Sequence, residues 1–494
     1  MALRLYNTMS GQLGEFRTLQ QGEVRMYACG PTVYDYGHIG NFRTFVAVDI
    51  LHRWLAHSGY KVRHVMNITD VDDKIIRNAA KEHVSVNEYT AKYEKAFLED
   101  LRALHVQEPE LVHATENIPQ MAEFVGKLKE KGFAYRTEDG SYYFPIAKFQ
   151  GYGKLSKKDF SGIENGARVD VDEYEKDNAR DFALWKAPKP DEASWKTSIG
   201  EGRPGWHLEC SVMSMKALGE SFDLHAGGED LIFPHHENEI AQSEALTGKT
   251  FAQFWFHARF LLIEGEKMSK SLGNFYTLRD LVLKGHKPSS IRFLLASVPY
   301  RNQLNFTFDG LQAAAISVER LRNFRWRLTH TEFAAGAGGE MAALARTSSE
   351  RLHAAMDDDL NTAQAQAALF DMVRGANAAM DSGQVKKDDV SALLRALDEF
   401  DAVFDVLRDD DVPLMKSVEE WAKASGREGD ISKELKDAVQ SGELSDEQVN
   451  QKLQEMEAAR KARNFPVSDA IRAELTAAGI LVENTKEGFR WRRK

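Results

Sequence analysis

The stretch of chain from residue 24 to residue 70 constrains the possible folds most strongly. Val24–Ala28 is a short, mostly apolar run and Lys61–Ile68 tends to alternate, so both are predicted to be strands. Asn41–Ser58 is predicted to be a helix, because large apolar residues recur there at helical spacing and Gly59 follows its end. A strand, a helix and a second strand in this order form a right-handed parallel unit. We therefore expect an α/β protein built on a parallel sheet.

Length and composition describe an ordinary soluble protein of about three or four domains. The chain has 494 residues, of which 43% are hydrophobic and 28% charged. No apolar run approaches the ~18 residues of a membrane span, so no membrane partner is expected. The first ten residues lack an apolar core of signal-peptide length. We therefore expect a cytoplasmic protein whose thiols stay reduced.

Charge is distributed unevenly along the chain. The net charge of −11 argues against a protein coated in nucleic acid, although it allows a local basic surface. Residues 405–447 contain thirteen acidic and six basic residues, whereas residues 452–494 contain ten basic and six acidic ones. The chain ends with the basic and aromatic run Arg490–Lys494. Such a tail could grip a nucleic-acid backbone and stack on bases, or it could simply be a solubilised terminus.

Shifts in composition and pattern divide the chain into six segments. A Lys-, Asp- and Gly-rich segment with short strands near Ser141–Ile146 interrupts the parallel-sheet domain. A strand is predicted over Phe260–Ile263, and Ala334–Gly339 is predicted to be a flexible connector between helices. The predicted segments are the first half of the parallel-sheet domain at 1–121, the insertion at 122–200, the second half at 201–255, a strand-and-loop region at 256–309, a helical bundle at 310–408 and a small C-terminal domain at 409–494.

Two cysteines are the candidates for metal binding. Cys29 and Cys210 are the only cysteines of the chain, and each lies among Gly, His and aromatic residues. Residues 234–239, Pro-His-His-Glu-Asn-Glu, add two imidazoles and two carboxylates. Two thiolates, an imidazole and a carboxylate would form one tetrahedral zinc centre. A disulfide and two unrelated buried cysteines remain alternatives at this point, since the usual C-x-x-C pair is absent.

His38-Ile39-Gly40-Asn41 lies where the first predicted strand gives way to the helix. Polar groups at a helix N-terminus face the place where phosphates bind. Gly37 and Gly40 would allow the backbone to approach a nucleotide closely, and both His38 and Asn41 could donate to phosphoryl oxygens. The tetrapeptide by itself is weak evidence, because many proteins contain it by chance.

Lys267-Met268-Ser269-Lys270-Ser271 is a more specific signal. Two lysines flank small hydroxyl residues just after a predicted strand, and Gly265 and Gly273 give the loop freedom. A mobile loop of this kind could bring ammonium groups to the charge that develops on a pyrophosphate. The alternative is a solvated basic loop without such a role.

Together, His38–Asn41 and Lys267–Ser271 resemble the paired signatures of class I aminoacyl-tRNA synthetases, with Asn41 in place of the commoner second histidine. Three longer stretches resemble the cysteinyl-tRNA synthetases in particular, and the similarity runs from about Leu5 to the C-terminus. These stretches are Cys29–Asn41, Gly202–Met213 and Phe233–Glu244. The resemblance implies a Rossmann-type catalytic domain with an insertion, a helical bundle and a C-terminal anticodon-binding domain.

The same resemblance implies one Zn²⁺ per chain, with Cys29, Cys210, His235 and Glu239 as ligands. His235 and Glu239 are four residues apart, so on a helix they would project from one face. His236 and Glu237 would then point elsewhere and are assigned supporting roles. Zinc has a chemical reason here, because a metal–thiolate bond separates cysteine from serine, which an apolar pocket does poorly.

Further site residues follow from the resemblance. Lys270 is expected to contact ATP, His38 and Asn41 are expected to lie on its phosphates, and Mg²⁺ is expected to accompany the nucleotide. Catalytic roles are expected for His38, Asn41, Lys267 and Lys270. The other implied site residues are Gly37 and Gly40 at the ATP site, Trp206 as a wall of the amino-acid pocket, Thr69 and Asp230 as polar contacts, and His207 and His225 as neighbours of the metal.

The implied reaction has two steps. The carboxylate of L-cysteine attacks the α-phosphate of ATP, which gives cysteinyl-adenylate and pyrophosphate. The 3′-terminal ribose of tRNA(Cys) then takes the cysteinyl group. Ala226, Glu229 and Ala258 depart from the residues usual in the family, which leaves individual adenylate contacts open. A monomer is expected by default.

Two other functions compete with this hypothesis. A cysteine ligase of mycothiol biosynthesis shares the adenylation step but transfers cysteine to an amino sugar. Such enzymes resemble a chain truncated after the helical region, whereas this chain continues for about eighty more residues into the basic tail, which resembles an anticodon-reading tail. A non-catalytic zinc and RNA-binding protein is the other alternative, against which His38 and Lys270 argue. We therefore expect tRNA to be the acceptor.

Overall fold

The computed structural model describes residues 2–158, 168–169, 181–189, 193–336, 338–441, 446–485 and 488–493. Part of the predicted insertion and the last residue of the basic tail therefore lie outside the described residues. Among the helices formed by the described residues, none is both long enough and apolar enough to span a bilayer.

The described residues form eighteen strands and sixteen α-helices. The strands are β1 (Arg4–Asn7), β2 (Gln12–Glu15), β3 (Glu23–Ala28), β4 (Lys61–Ile68), β5 (Glu110–His113), β6 (Tyr135–Arg136), β7 (Tyr142–Phe144), β8 (Arg168–Val169), β9 (Asp181–Lys186), β10 (Trp195–Thr197), β11 (Gly200–Pro204), β12 (Phe222–Gly228), β13 (Ala252–Ala258), β14 (Leu261–Ile263), β15 (Glu266–Lys267), β16 (Leu304–Phe306), β17 (Ile480–Thr485) and β18 (Gly488–Arg493). The helices are α1 (Ile39–His57), α2 (Asp73–Glu82), α3 (Val86–Ala103), α4 (Ile118–Glu130), α5 (Trp206–Leu218), α6 (Glu237–Thr247), α7 (Leu278–Leu283), α8 (Pro288–Leu295), α9 (Phe308–His330), α10 (Glu340–Asp357), α11 (Thr362–Asp381), α12 (Val390–Phe404), α13 (Asp411–Ala424), α14 (Lys433–Ser441), α15 (Asp446–Lys461) and α16 (Phe465–Ala477).

A five-stranded parallel sheet lies at the centre of the α/β fold. Its strand order is β13-β12-β3-β4-β5, and every neighbouring pair is parallel. The predicted α/β fold is thus confirmed, as are the two strands and the helix predicted over residues 24–68, although α1 begins at Ile39 rather than Asn41. β4 and β12 pair with β3 on opposite sides. The strands that follow β3 in sequence are therefore added first on one side of it and later on the other, which makes β3 the point where the strand order reverses. Open α/β sheets bind ligands at the carboxyl ends of strands at such a switch point.

Helix α1 is buried on more than one face, which explains why apolar residues fill so much of it. Its buried residues include the two polar side chains Arg43 and Asp49. Arg43 donates hydrogen bonds to the main-chain oxygens of Leu295, Val298 and Pro299. A buried guanidinium therefore satisfies carbonyls at the end of α8 and in the turn that follows it.

The insertion forms its own sheet, in the order β10-β11-β9-β7-β6, with β8 beside β9. β7 lies within the strand region predicted at Ser141–Ile146. Lys186 on β9 and Arg203 on β11 both pair with Asp73 at the start of α2. These ion pairs link the inserted sheet to the segment that follows β4.

A three-stranded sheet leads into the lysine-rich loop, Lys267–Ser271. β14 pairs with β15 and β16, and the turn Glu264-Gly265 has positive φ values of 50° and 85°, as in the type I′ turns of tight hairpins. The strand predicted over Phe260–Ile263 is confirmed as β14, but Phe260 precedes it and is 46% exposed. Lys267 is the last residue of β15.

The described chain divides into two compact units. One comprises residues 1–268, 295–306 and 323–405, and the other comprises residues 269–294, 307–322 and 406–494. In the first unit, α10 packs against α11 and α12. Main-chain oxygens of Ala334 and Gly336 accept hydrogen bonds from residues 387 and 388, so the predicted connector is held against the segment before α12.

The second unit contains a small apolar cluster near the C-terminus. Its buried residues lie on α15, α16 and β17, and the antiparallel hairpin β17–β18 contributes partly buried side chains. The buried residues are Val449, Leu453, Met456, Leu475 and Ile480. The last fifty residues thus contain an apolar core of their own. A small C-terminal domain was predicted there, but its two helices and its hairpin were not.

Candidate active site and metal centre

Cys29 is held at the switch point by main-chain hydrogen bonds. It is the first residue after β3, and its N–H donates to the carbonyl oxygen of Ala226 on β12 at 3.0 Å. The next residue, Gly30, donates its N–H to Oδ1 of Asn67 on β4 at 2.8 Å. A Cβ atom at position 30 would lie 1.9 Å from the main-chain oxygen of Asn67, so only glycine fits. The loop after β3 is therefore fixed between both neighbouring strands.

The structure brings the four predicted metal-ligating side chains together. One ligand atom each from Cys29, Cys210, His235 and Glu239 lies within 4.8 Å of the others, and all four residues are buried. The two Sγ atoms are 3.9 Å apart and form no disulfide. Oε1 of Glu239 lies 3.9 Å from Sγ of Cys29 and 3.1 Å from Nε2 of His235. The proposed ligands converge at the carboxyl ends of β3 and β12.

Three separate elements position this cluster. Cys29 follows β3, and Cys210 lies on the buried face of α5. Glu239 lies in the first turn of α6, and His235 lies in the π-type turn 232–236 that leads into it. The two side chains project from one face, as their i, i+4 spacing predicts, although His235 precedes the regular helix.

The buried charges in this cluster compensate one another. Burial raises the pKa of Glu239, but the imidazoles of His225 and His235 outweigh it and lower that pKa to about 2. Burial lowers the pKa of His235, whereas Glu239 and Cys210 outweigh it and raise that pKa to about 10. Glu239 is therefore an anion beside a cation at neutral pH.

The two thiols differ in acidity. Burial raises the pKa of the Cys29 thiol well above its usual value, and the neighbouring Cys210 sulfur adds to that rise. Burial also raises the pKa of Cys210, but the hydrogen bond that Cys29 donates and the charge of His235 lower it to about 6. Cys29 thus donates its proton toward a thiolate on Cys210.

The donor set fits a tetrahedral zinc ion. Thiolate, imidazole and carboxylate are the groups that bind zinc in proteins. Ligand atoms bonded to one tetrahedral zinc ion at about 2.0–2.3 Å lie roughly 3.3–3.8 Å apart. The separations of 3.1–3.9 Å in this cluster match that spacing closely.

A second set of imidazoles surrounds the cluster. Cys29, His225, His236 and Glu239 also place ligand atoms within 4.8 Å of one another. Nε2 of His236 lies 3.2 Å from Sγ of Cys29, and Nε2 of His225 lies 2.9 Å from Oε2 of Glu239. His236 thus contacts Cys29 directly, so the prediction that it points away from the cluster is wrong. The π-type turn over residues 232–236 departs from the regular helix on which that prediction rested. The predicted neighbour His207 lies with its Nδ1 3.0 Å from Nδ1 of His235.

His257 extends this network and was not singled out from the sequence. Its Nε2 lies 2.8 Å from Nδ1 of His236, and its Nδ1 lies 2.7 Å from the Thr8 hydroxyl. Burial lowers the pKa of His257 to about 3, so its ring is neutral. Its position near the carboxyl end of β13 was the available signal, because that is the edge of the sheet where Cys29 and Thr69 also fall.

Glu237 holds the inserted segment. Its carboxylate accepts hydrogen bonds from the N–H groups of Gly153, Leu155 and Ser156 at 2.8–3.1 Å. Three donors to one buried carboxylate anchor this loop beside α6. The geometry agrees with a supporting role for Glu237.

The three predicted amino-acid contacts have different surroundings. The Trp206 ring lies 4.3 Å from the His235 ring and so borders the cluster. Thr69 is fully buried, and its hydroxyl donates to Glu209 at 2.8 Å and accepts from Asn67 at 3.1 Å. Asp230 is exposed. Of the three predicted amino-acid contacts, Trp206 is thus the one whose ring lies against the proposed metal ligand His235.

His38 and Asn41 cap helix α1. Nδ1 of His38 accepts from the N–H of Asn41 at 3.2 Å, and Oδ1 of Asn41 accepts from the N–H of His38 at 3.1 Å. Since Nδ1 accepts, the neutral ring carries its proton on Nε2. A Cβ atom on Gly40 would lie 2.9 Å from the His38 ring, and one on Gly37 would lie 3.0 Å from Phe42. The glycines therefore have packing reasons in addition to their predicted role at phosphates.

The lysine-rich loop is ordered by its own polar side chains. Ser269 donates its N–H to Asn274 at 2.8 Å, and its hydroxyl lies 2.9 Å from the Ser271 hydroxyl. Nζ of Lys270 lies 5.0 Å from the centre of the Phe275 ring. In the first unit, Lys267 is exposed. Cε of Met268 lies beside Gly40, 3.3 Å from the position that a Cβ atom on Gly40 would take.

Two families match the chain. Residues 15–316 match the family described as tRNA synthetases class I (C) catalytic domain, and residues 351–408 match the DALR domain. The fold is similar to that of the Mycobacterium tuberculosis methionyl-tRNA synthetase in complex with methionyl-adenylate, with a TM-score of 0.56 and 15% identity over 82% of this chain and 93% of that one. The parallel sheet and the matched catalytic domain define a class I aminoacyl-tRNA synthetase.

Relatives of this chain show to which family of class I synthetases it belongs. The chain is 64% identical to a cysteine–tRNA ligase of Koribacter versatilis (strain Ellin345) and 54% identical to that of Solibacter usitatus (strain Ellin6076), each over 100% of both chains. It is 45% identical to the ligase of Thermococcus onnurineus (strain NA1), over 100% of this chain and 99% of that one. The chain belongs to the cysteine–tRNA ligase family. The resemblance inferred from the motifs is confirmed, and the end-to-end match does not favour a ligase of mycothiol biosynthesis.

Proposed function

We propose that this enzyme joins L-cysteine to tRNA(Cys) through a cysteinyl-adenylate, and that one Zn²⁺ ion at the cysteine cluster selects the substrate. Cys29, Cys210, His235 and Glu239 would hold that ion. The observation that carries this proposal is the convergence of four buried ligand-type side chains within 4.8 Å at the carboxyl edge of the parallel sheet.

Thiol selection is the property that the cluster would add to the fold. An ion held there would supply a soft Lewis acid, and a soft Lewis acid favours sulfur over a hydroxyl oxygen. An apolar pocket separates side chains of similar size by only about 1–3 kcal/mol. The side chain of Trp206 would close the pocket beside His235, whose ring it borders at 4.3 Å.

Adenylation would take place beside the N-terminus of α1. The carboxylate of L-cysteine would attack the α-phosphate of ATP and displace pyrophosphate, and Mg²⁺ would accompany the nucleotide. Nε2 of His38 and the amide of Asn41 are placed at the helix N-terminus, where donors and the helix dipole favour phosphate. Lys267 and Lys270 would neutralise charge on the departing pyrophosphate.

Transfer of the cysteinyl group completes the proposed reaction. A hydroxyl of the 3′-terminal ribose of tRNA(Cys) attacks the adenylate carbonyl, and AMP leaves. The basic C-terminal segment supports tRNA as the acceptor, since residues 452–494 contain ten basic residues. Side chains of α15, α16 and β17 form an apolar cluster of their own there. The two reduced, buried thiols agree with action in the cytoplasm.

Cysteine-dependent ATP–pyrophosphate exchange, measured together with zinc content, tests this proposal. We expect zinc-loaded enzyme to catalyse the exchange, and we expect Cys210→Ser to lose one zinc ion per chain and to raise the KM for cysteine at least about tenfold, because a serine oxygen replaces a soft ligand. Met215→Leu on the same helix is the matched control and should keep both properties. Normal cysteine affinity in a variant that has lost this zinc ion would contradict the proposed selection.

A further inference from the structure

A second group of metal-ligating side chains lies at the opposite end of α1. It comprises His57 in the last turn of α1, His353 on α10 and Glu399 on α12, and one ligand atom of each lies within 4.8 Å of the others. Helix α1 has 19 residues and rises about 1.5 Å per residue, so His57 lies roughly 28 Å along the helix from its His38 cap. This group is therefore separate from the cysteine cluster.

The three side chains converge on one point. Oε1 of Glu399 lies 2.6 Å from Nε2 of His353 and 3.6 Å from Nε2 of His57. Two ligands bonded to a tetrahedral zinc ion at about 2.0–2.1 Å lie roughly 3.3 Å apart. The separation from His57 is close to that value, whereas His353 and Glu399, which are hydrogen-bonded at 2.6 Å, would move apart by about 0.7 Å to hold an ion. Both imidazoles also direct the same ring nitrogen at the same carboxylate oxygen.

Trp54 fixes the orientation of both imidazoles. Its ring stacks on His57 with centroids 5.2 Å apart and an interplanar angle of 20°, and it meets His353 at 5.2 Å and 73°. The indole N–H donates to Asp357 at 3.2 Å, which holds the tryptophan itself in place. Side chains held in this way lose little freedom when they bind a ligand.

The group is also open to solvent. The side chains of His57, Glu399 and His353 are 25%, 23% and 45% exposed. An ion could therefore enter, and water could complete its coordination. Two imidazoles and one carboxylate suit divalent transition ions such as Zn²⁺ better than Mg²⁺ or Ca²⁺, which prefer oxygen ligands.

We infer that His57, His353 and Glu399 form a binding site for a divalent transition ion of the zinc type. The ion would join the C-terminal turn of α1, which belongs to the nucleotide-binding fold, to α10 and α12 of the helical region. Metal–ligand bonds would replace the hydrogen bond between His353 and Glu399 and the longer contact between His57 and Glu399.

Metal counting on the full-length chain tests this inference. After dialysis against excess Zn²⁺, we expect the wild-type chain to hold one ion more than His353→Ala or Glu399→Gln, and we expect the affinity of that ion to fall at least tenfold in each variant. His330→Ala removes an exposed histidine from α9 and should keep the full count. Equal counts in all four proteins would overturn the inference and leave the group as an ion pair.

A second measurement separates this site from the cysteine cluster. In a Cys210→Ser background, Zn²⁺ should still raise the Tm, and the rise should disappear when His353→Ala is added. Glu399→Gln keeps the shape of the side chain, so a folded variant is available even if His353→Ala unfolds. The absence of any zinc-dependent rise in Cys210→Ser would contradict the inference.

Discussion

His64 illustrates how one buried side chain ties the stability of this protein to pH. It lies on β4, is 7% exposed, and within the described part of the chain neither ring nitrogen has a hydrogen-bond partner. Burial, together with the charge of His52, lowers the pKa of His64 to about 3. In the unfolded chain the pKa of histidine is about 6.5, so the unfolded state binds the proton first as the pH falls.

The consequence is a loss of stability in mild acid. The stabilising effect of the neutral ring is fully present above pH 6.5 and is lost as the pH falls from 6.5 toward 3, by about 1.4 kcal/mol per pH unit. Between pH 6.5 and pH 5, we expect the free energy of unfolding of wild type to fall about 2 kcal/mol more than that of His64→Leu. Urea denaturation at each pH measures this difference. His330→Leu, at an exposed site, should follow wild type, and parallel curves for wild type and His64→Leu would refute the account.

Residue-level prediction from the sequence succeeded where ligand chemistry is concentrated in motifs. Cys29, Cys210, His235 and Glu239 could be predicted to converge because each lies in a stretch that resembles the same family. The group at His57, His353 and Glu399 could not be predicted, since these residues share no motif or spacing and meet only through helix packing.

Among the elements, α1 depends on one buried cation. Burial lowers the pKa of Arg43 to about 10, so the guanidinium remains charged at neutral pH and donates to three carbonyls in the segment 295–299. Arg43→Met would remove these three hydrogen bonds, and of the three oxygens that of Pro299 would keep the N–H of Asn302 as a donor. We expect the free energy of unfolding to fall by about 3 kcal/mol. Arg77→Met, at an exposed position on α2, should change it by less than about 0.5 kcal/mol, and similar losses in both variants would count against this account.

The lysine-rich loop yields a prediction about catalysis. If Lys270 stabilises charge on the departing pyrophosphate, Lys270→Ala should slow cysteine-dependent ATP–pyrophosphate exchange by about 10²–10³-fold. The KM for cysteine should stay within about twofold, because the cysteine cluster is intact. Lys284→Ala, which removes another exposed lysine, is the control. An unchanged exchange rate in Lys270→Ala would exclude the proposed role.

Element boundaries were predictable where periodicity was strong. β4 was predicted at its observed bounds and α1 within two residues at its start, because apolar residues mark both. The hairpin β17–β18 was not predicted, since both strands are short and the three arginines of β18 favoured an interpretation as a basic tail. In the insertion, very short strands gave only the approximate position of β7.

At the scale of the whole molecule, the apolar cluster of α15, α16 and β17 predicts that tRNA binding can be removed without loss of cysteine adenylation. Because residues 446–493 contain their own apolar core, a chain ending at residue 441 should keep cysteine-dependent ATP–pyrophosphate exchange. The same truncation removes the basic residues of 452–494 and should lower kcat/KM for tRNA charging at least 100-fold, since phosphate contacts dominate the affinity for nucleic acid. Comparison of the two assays on one preparation measures the effect. Undiminished tRNA charging by the shortened chain would contradict the proposed role of the tail.

The fold class of the whole molecule could be predicted from a single strand–helix–strand unit, because its handedness and parallel pairing follow from general rules. The order β13-β12-β3-β4-β5 could not, because strands far apart in sequence pair through contacts that local patterns do not record. That order is what places Cys29 beside β12, within reach of α5 and α6.

The central claim is that a metal ion held by Cys29, Cys210, His235 and Glu239 selects the thiol of cysteine. The most direct test is the ratio of kcat/KM for cysteine to that for serine in ATP–pyrophosphate exchange, measured on zinc-loaded and metal-depleted enzyme. With zinc, we expect a ratio of at least about 10⁴, equivalent to about 5.5 kcal/mol. Without zinc, it should fall to about 10² or less, the range of a pocket that distinguishes by shape alone. An unchanged ratio after metal removal would contradict the claim.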